Sequence, residues 1–175
     1  MFVNLTDVLT NEDKVISKQI EAELTQISIG GEVFPVVHKT PIQFTFTNLG
    51  KGRARIDGTG EMVFAMSCDR CLKPVEEKLQ LEFSREVFAP DRITETSDEN
   101  DDQGFMDGYE LDVEGLLANE IVINWPMKVL CKPDCKGICL QCGKDLNTGT
   151  CECDTFVPDP RMAVIKDIFN ANKEV

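Results

Sequence analysis

The chain is poor in the residues on which most catalysis depends, with one histidine, one tryptophan and one tyrosine among 175 residues. His38 stands beside Val36 and Val37 in a strand-like stretch, which reads as a surface or turn position rather than a ligand. No Ser-His-Asp set, phosphate-binding glycine loop or HExxH segment is present, so the expectation is a protein that is not an enzyme and takes no small-molecule substrate. No apolar run approaches the roughly 20 residues of a membrane helix, which argues against a membrane partner. Basic residues are scarce too: 18 Lys and Arg face 31 Asp and Glu, for a formal net charge of −13. Such a surface repels polyanions at long range, because the phosphate contacts that dominate nucleic-acid affinity need an excess of Lys and Arg. The opening stretch MFVNLTDVLTNEDK reaches charged residues at once and shows no apolar export signal, so a cytoplasmic chain with reduced cysteines is expected.

What the chain does have is cysteine. Eight of them fall into Cys68-x2-Cys71 and a later run of Cys131, Cys135, Cys139, Cys142, Cys151 and Cys153. Zinc takes four soft ligands in a tetrahedron, and short Cys-x2-Cys turns place two thiolates on one ion while a second pair closes the site. Eight cysteines therefore read as two structural four-thiolate zinc sites. Four disulfides are the rival, disfavoured by compartment and because Cys151 and Cys153, with one residue between them, make awkward partners. A redox role for Cys68 and Cys71, with Arg70 lowering a thiol pKa, lacks the strand-to-helix context such sites use, since both flanks read as strands.

The hydrophobic pattern sets the fold class. From residue 16 to 88 it is mostly period two, the mark of half-buried antiparallel strands. Ile20, Ala22 and Leu24 alternate with polar residues, the phase slips before Ile27 and Ile29, and Gly30-Gly31 breaks the run. Ile42, Phe44 and Phe46 lead into the turn residues 48–52, and Ala54, Ile56, Met62, Phe64 and Met66 follow on one face, which predicts a hairpin. Val75, Leu79, Leu81, Phe83 and Val87 continue as another strand, so Cys68 and Cys71 sit at a hairpin tip. Residues 91–110 are charged and apolar-poor and read as a mobile acidic loop. Val113, Leu116, Leu117 and Ile121 then fall at helical spacing, capped by Asp112 and ended at Trp125-Pro126. Asp159-Pro160 followed by Val164, Ile165, Ile168 and Phe169 predicts a short C-terminal helix.

The expected protein is thus mainly β, an antiparallel sheet or partly open barrel with one or two short helices and a C-terminal cysteine-rich zinc-binding segment. Residues 1–90 form the β region with its knuckle hairpin, 91–110 the acidic loop, 111–126 an amphipathic helix and 127–175 the cysteine-rich segment and last helix, packed with the first region as one domain.

Only eight residues separate Cys142 from Cys151, so little chain entropy opposes grouping Cys139, Cys142, Cys151 and Cys153 on one ion. That leaves Cys68, Cys71, Cys131 and Cys135 for the other. A competing grouping places Cys131, Cys135, Cys139 and Cys142 together. Every such set is already four sulfurs, and closed sites are structural. Arg70, Lys73, Lys128, Lys132 and Lys136 would gather near the metals if the 68–71 tip meets the 131–135 segment; they read either as an RNA or partner contact or as an offset to thiolate charge. Eight thiolates subtract eight charges and two divalent ions return four, taking the formal charge from −13 to −17. A basic protein is the partner that this charge favours.

The segment CDRCL at 68–72, the run from Cys131 to Gly143, Leu146-Asn147, Cys151-Glu152-Cys153 and Asp159-Pro160-Arg161 together resemble the YceD family of large ribosomal RNA subunit accumulation proteins. The resemblance implies a bacterial or plastid-type cytosolic protein needed for accumulation of large-subunit ribosomal RNA, with a basic large-subunit ribosomal protein or the pre-ribosomal particle as its partner.

Purified protein is expected to carry close to two zinc ions per chain on elemental analysis. One tightly bound ion with four alkylatable thiols would contradict the two-site reading, and disulfides found in freshly lysed, alkylated cells would contradict zinc altogether.

Overall fold

The computed structural model describes residues 1–90 and 104–153. Most of the expected acidic loop and the expected C-terminal helix lie outside the described residues. The chain divides into two compact units, one of Met1–Ser67 with Pro74–Val129, the other of Cys68–Lys73 with Leu130–Val175.

The first unit is mainly antiparallel sheet, as the period-two pattern requires. Its elements are β1 (Phe2–Asn4), α1 (Thr6–Thr10), β2 (Val15–Ile20), β3 (Gln26–Ile29), β4 (Glu32–Lys39), β5 (Ile42–Gly50), β6 (Arg53–Ser67), β7 (Pro74–Phe88), β8 (Met106–Asp107), β9 (Glu110–Asp112) and α2 (Val113–Ile123). β6 is the spine. It pairs with β7 along its whole length, from Arg53 opposite Phe88 to Ser67 opposite Pro74. Because a strand has two edges, β5 and β4 share the other one, β5 opposite residues 53–59 and β4 opposite 62–64. β2 extends the sheet beyond β5, and β3 extends it beyond β4 through the turn at Gly30-Gly31. The phase slip read before Ile27 is a full break, for β2 ends at Ile20 and β3 begins at Gln26.

Alternation then decides the core. Ala54, Ile56, Met62, Phe64 and Met66 of β6 point inward with Ile42, Phe44 and Phe46 of β5 and Leu79, Leu81, Phe83 and Val87 of β7. The same inward row of β6 contains Gly58, and the reason is space: a Cβ there would lie 2.2 Å from Cζ of Phe83, its cross-strand partner. The Phe83 ring occupies that room and meets Phe44 edge-on at 5.9 Å. Leu116, Leu117 and Ile121 of α2 and Val8 and Leu9 of α1 join the same core.

Asp112 caps α2 as its position suggests, its carboxylate accepting from the Glu114 N–H at 3.2 Å. Two polar groups are buried with partners in place. Asn48 donates to the Val8 carbonyl at 2.6 Å and accepts from the Gly50 N–H at 2.7 Å, tying α1 to the β5 turn. Glu120, 2% exposed, accepts from Nε of Arg85 at 2.5 Å. The stretch expected as loop through residue 110 ends sooner: β8 and β9 form a small hairpin that β1 completes as a third strand. Strands of two and three residues are too short for alternation to reveal. No helix among the described residues is long and apolar enough to cross a membrane.

Gly58→Ala is expected to cost about 1–3 kcal/mol by overpacking. Pairing it with Phe83→Leu, which vacates the same space, should restore part of the loss in the urea midpoint. A fully additive pair would show that the contact is not the cause.

Candidate metal centres

In the second unit two short turns repeat one pattern. In the first, the Cys68 N–H donates to the Lys73 carbonyl at 2.8 Å and the Leu72 N–H to the Cys68 carbonyl at 2.9 Å. In the second, the Cys139 N–H donates to the Lys144 carbonyl at 2.9 Å and the Gly143 N–H to the Cys139 carbonyl at 2.8 Å. The fifth residue of each turn is left-handed, Leu72 at φ 60° and Gly143 at φ 72°. Glycine takes that conformation freely, whereas leucine does so only when the surrounding bonds impose it. Each turn presents both of its cysteine sulfurs to one side.

Those sulfurs, with two more pairs, make two groups: Cys68, Cys71, Cys131 and Cys135, and separately Cys139, Cys142, Cys151 and Cys153. Within each group all Sγ atoms lie within 4.8 Å of one another. Cys131, Cys135, Cys139 and Cys142 do not share a group. Sulfur approaches of 3.8 Å for Cys68 and Cys135 and 3.5 Å for Cys71 and Cys131 can be set against zinc. Four sulfurs at about 2.3 Å from one ion stand about 3.8 Å apart in a regular tetrahedron. All eight cysteines are free of disulfides. The donor set therefore fits zinc, which would act as a four-way cross-link with no open coordination position.

Backbone and side chains hold the first group in place. The Arg70 guanidinium donates to the Cys135 carbonyl at 2.6 Å, and the Ile138 N–H donates to the Arg70 carbonyl at 3.1 Å. Gly137 is required beside it, since its φ is +80° and a Cβ would sit 2.8 Å from the Arg70 carbonyl oxygen. Asn147 donates its amide N–H to Cys135 Sγ at 3.5 Å and accepts the Lys136 N–H at 2.8 Å. Lys73 pairs with Asp145 at 2.7 Å. That ammonium, with the Asn147 backbone N–H, holds the Asp145 carboxyl at about 2.

The thiols divide within each group. Burial opposes ionisation of Cys68, but backbone N–H groups of Cys131, Arg70 and Cys71 outweigh it and bring its pKa to about 6. Cys139 is lowered to about 6 by backbone N–H groups of Cys142 and Gln141 and by the Cys151 thiol. The Cys71 thiol and burial push Cys131 up to about 12, and the Cys142 thiol and burial do the same to Cys153. Cys135 moves down despite burial, with the Asn147 amide the leading favourable partner.

Of the five cations singled out in the sequence, Arg70, Lys73, Lys132 and Lys136 belong to this unit and Lys128 to the other. Arg70 and Lys73 are engaged as described, and Lys132 approaches Asp134 at 3.6 Å on the surface. His38 is exposed in β4 and belongs to neither sulfur group. Sequence reasoning missed Asp145 and Asn147 as supports. Their signal was an Asp-x-Asn turn inside the loop between two cysteine pairs.

The sequence signature described as large ribosomal RNA subunit accumulation protein YceD matches residues 56–169. An uncharacterized protein of Mycobacterium tuberculosis is 34% identical over 92 residues, covering 52% of this chain and 44% of the relative. Chloroplastic large ribosomal RNA subunit accumulation protein YCED homolog 1 of Zea mays is 30% identical over 132 residues, covering 59% and 45%. Its Arabidopsis thaliana counterpart is 26% identical over 141 residues, covering 65% and 44%. The chain spans less than half the length of these curated relatives. No solved structure gives a significant match.

At pH 7.5 thiols near 6 are already ionised and thiols near 12 hold their protons, so zinc uptake by metal-free protein should release some protons, but fewer than four per ion. Zinc affinity should accordingly rise with pH through the neutral range. Calorimetric titration in buffers of different ionisation enthalpy measures the release, and uptake without any proton release would contradict thiolate ligation.

Proposed function

The chain belongs to the YceD family, and from that premise we propose a non-enzymatic accessory protein of ribosome assembly that supports accumulation of large-subunit ribosomal RNA, its cysteine unit held together by two structural zinc ions. The family match carries the ribosomal reading. The sulfur groups support a scaffold rather than a catalyst, because four sulfurs satisfy the ion and leave nowhere for a substrate or water to bind.

The partner we favour is a basic protein of the large subunit. Among its described residues the cysteine unit has cations at Arg70, Lys73, Lys132, Lys136 and Lys144 against carboxylates at Asp69, Asp134, Asp145 and Glu152, so these nearly cancel and the two zinc-thiolate sites supply its negative charge. Most of the chain's negative charge therefore lies outside it, and such a surface attracts cationic partners and speeds their encounter.

Direct RNA binding is the second reading, favoured by the collection of four of the five cations in one unit. Two of these already have internal duties, Arg70 on a carbonyl and Lys73 on Asp145, which leaves Lys132 and Lys136 as the informative positions.

Co-purification of pre-ribosomal material should survive nuclease treatment, weaken with salt and fall when residues 96–103 are removed, a deletion that includes Asp98, Glu99, Asp101 and Asp102. Paired Lys132→Glu and Lys136→Glu changes should leave it within about twofold. If that pair abolishes co-purification while the deletion does nothing, RNA contact replaces the protein-partner reading.

A further inference from the structure

The loop between Cys142 and Cys151 belongs to the second sulfur group by its ends, yet its side chains serve the first. Asn147 donates to Cys135 Sγ and fixes the Lys136 N–H, and Asp145 takes the Lys73 ammonium one residue beyond Leu72 in the first turn. The same loop is stitched to the chain between the groups: the Leu146 N–H donates to the Gly137 carbonyl at 2.9 Å, and Ile138 and Asp145 form an isolated antiparallel bridge. Within the loop, the Asp145 carboxylate accepts from the Asn147 N–H at 2.9 Å, so the two residues are positioned as one piece. Closing the second group would fix both ends of this loop, which lacks a periodic apolar face of its own.

We propose that the two metal centres load cooperatively and in order, with Asp145 and Asn147 as positioning residues that transmit occupancy of the Cys139 centre to the Cys68 centre. The inference rests on the zinc reading above. The coupling is reciprocal, as linkage requires, so it does not by itself choose which centre fills first. The order comes from the chain: the Cys139 centre draws all its ligands from residues 139–153, whereas the Cys68 centre must join cysteines some sixty residues apart, Cys71 and Cys131. The local centre therefore fills first and fixes the loop, and the fixed loop supplies the outer partners of the second ion to bind. Outer partners of this kind commonly alter metal affinity by about 10–100-fold.

The test uses the full chain, titrated with a zinc chelator and followed by native mass spectrometry and by cysteine alkylation mapped along the sequence. In the wild type, Cys68, Cys71, Cys131 and Cys135 should become alkylatable at lower chelator than the other four. Asn147→Leu should shift that weaker step by about tenfold and leave the tighter one in place. Asp145→Asn, which keeps the turn acceptor and loses the charge facing Lys73, should act in the same direction. In the cobalt-substituted protein, Asn147→Leu should move the sulfur-to-metal charge-transfer band to the red, because a thiolate that loses an N–H donor gives up its electron more readily. Removing the local centre with Cys151→Ser and Cys153→Ser should weaken the Cys68 centre by a similar factor, and Asn147→Leu in that background should add little. Additive effects, or a Cys68 centre that keeps its wild-type midpoint without its neighbour, would overturn the coupling while leaving zinc intact. A wild-type chain without two bound zinc ions would instead remove the metal reading on which the coupling rests.

Discussion

Four thiols drawn within 4.8 Å of one another are an unfavourable arrangement unless something compensates. Ionising all four in one place sets like charges together, and Cys68, Cys71, Cys135 and Cys139 are buried besides. The cysteine unit shows the strain in its titration, with Cys68 and Cys139 near 6 and Cys131 and Cys153 near 12 in the two groups. A divalent cation at the centre of each group would resolve the conflict, and much else in the unit fits such a centre. Backbone N–H groups turn inward, Arg70 and Lys73 bring positive charge close, and Gly137 clears the Arg70 carbonyl.

The sheet unit solves a different problem by ordinary means. β6 has partners on both edges, and its inward row must fill a core shared with seven aromatic or aliphatic neighbours from β5 and β7. Glycine at position 58 is the price of seating Phe83 there. The buried Glu120 is tolerated because Arg85 meets it, and removing Arg85 would leave the Glu120 carboxylate buried without its cation. These features concern stability, and none of them forms a site with a nucleophile, base and electrophile in reach of one another.

Charge separates the two units in a way that bears on function. In the described cysteine unit Arg70 and Lys73 are already held, by the Cys135 carbonyl and by Asp145, which weakens the case for a polyanion there. The acidic remainder is the basis on which we propose a cationic protein partner, alongside the family membership that carries the ribosomal reading.

Much of this was legible in the residues themselves. Alternation from residue 16 to 88 is a local consequence of the pleat, so β5, β6 and β7 and their inward rows follow from it directly. Asp112 before Val113 announces α2 for a similarly local reason, a short side chain that satisfies a free N–H. Cysteine spacing announces clusters, and short loop closure favours Cys139, Cys142, Cys151 and Cys153 as one set. Tertiary structure alone decided the rest. Whether Cys131 and Cys135 join Cys68 and Cys71 depends on bringing together segments sixty residues apart. The pairing of Arg85 with Glu120, the tie between Asn48 and Val8, and the reach of Asp145 and Asn147 to the first sulfur group likewise join residues on separate elements. Sequence determines which faces and turns each segment can offer, because those depend on neighbours along the chain. Which side chains then meet is decided only when the folded backbone sets the distances between them.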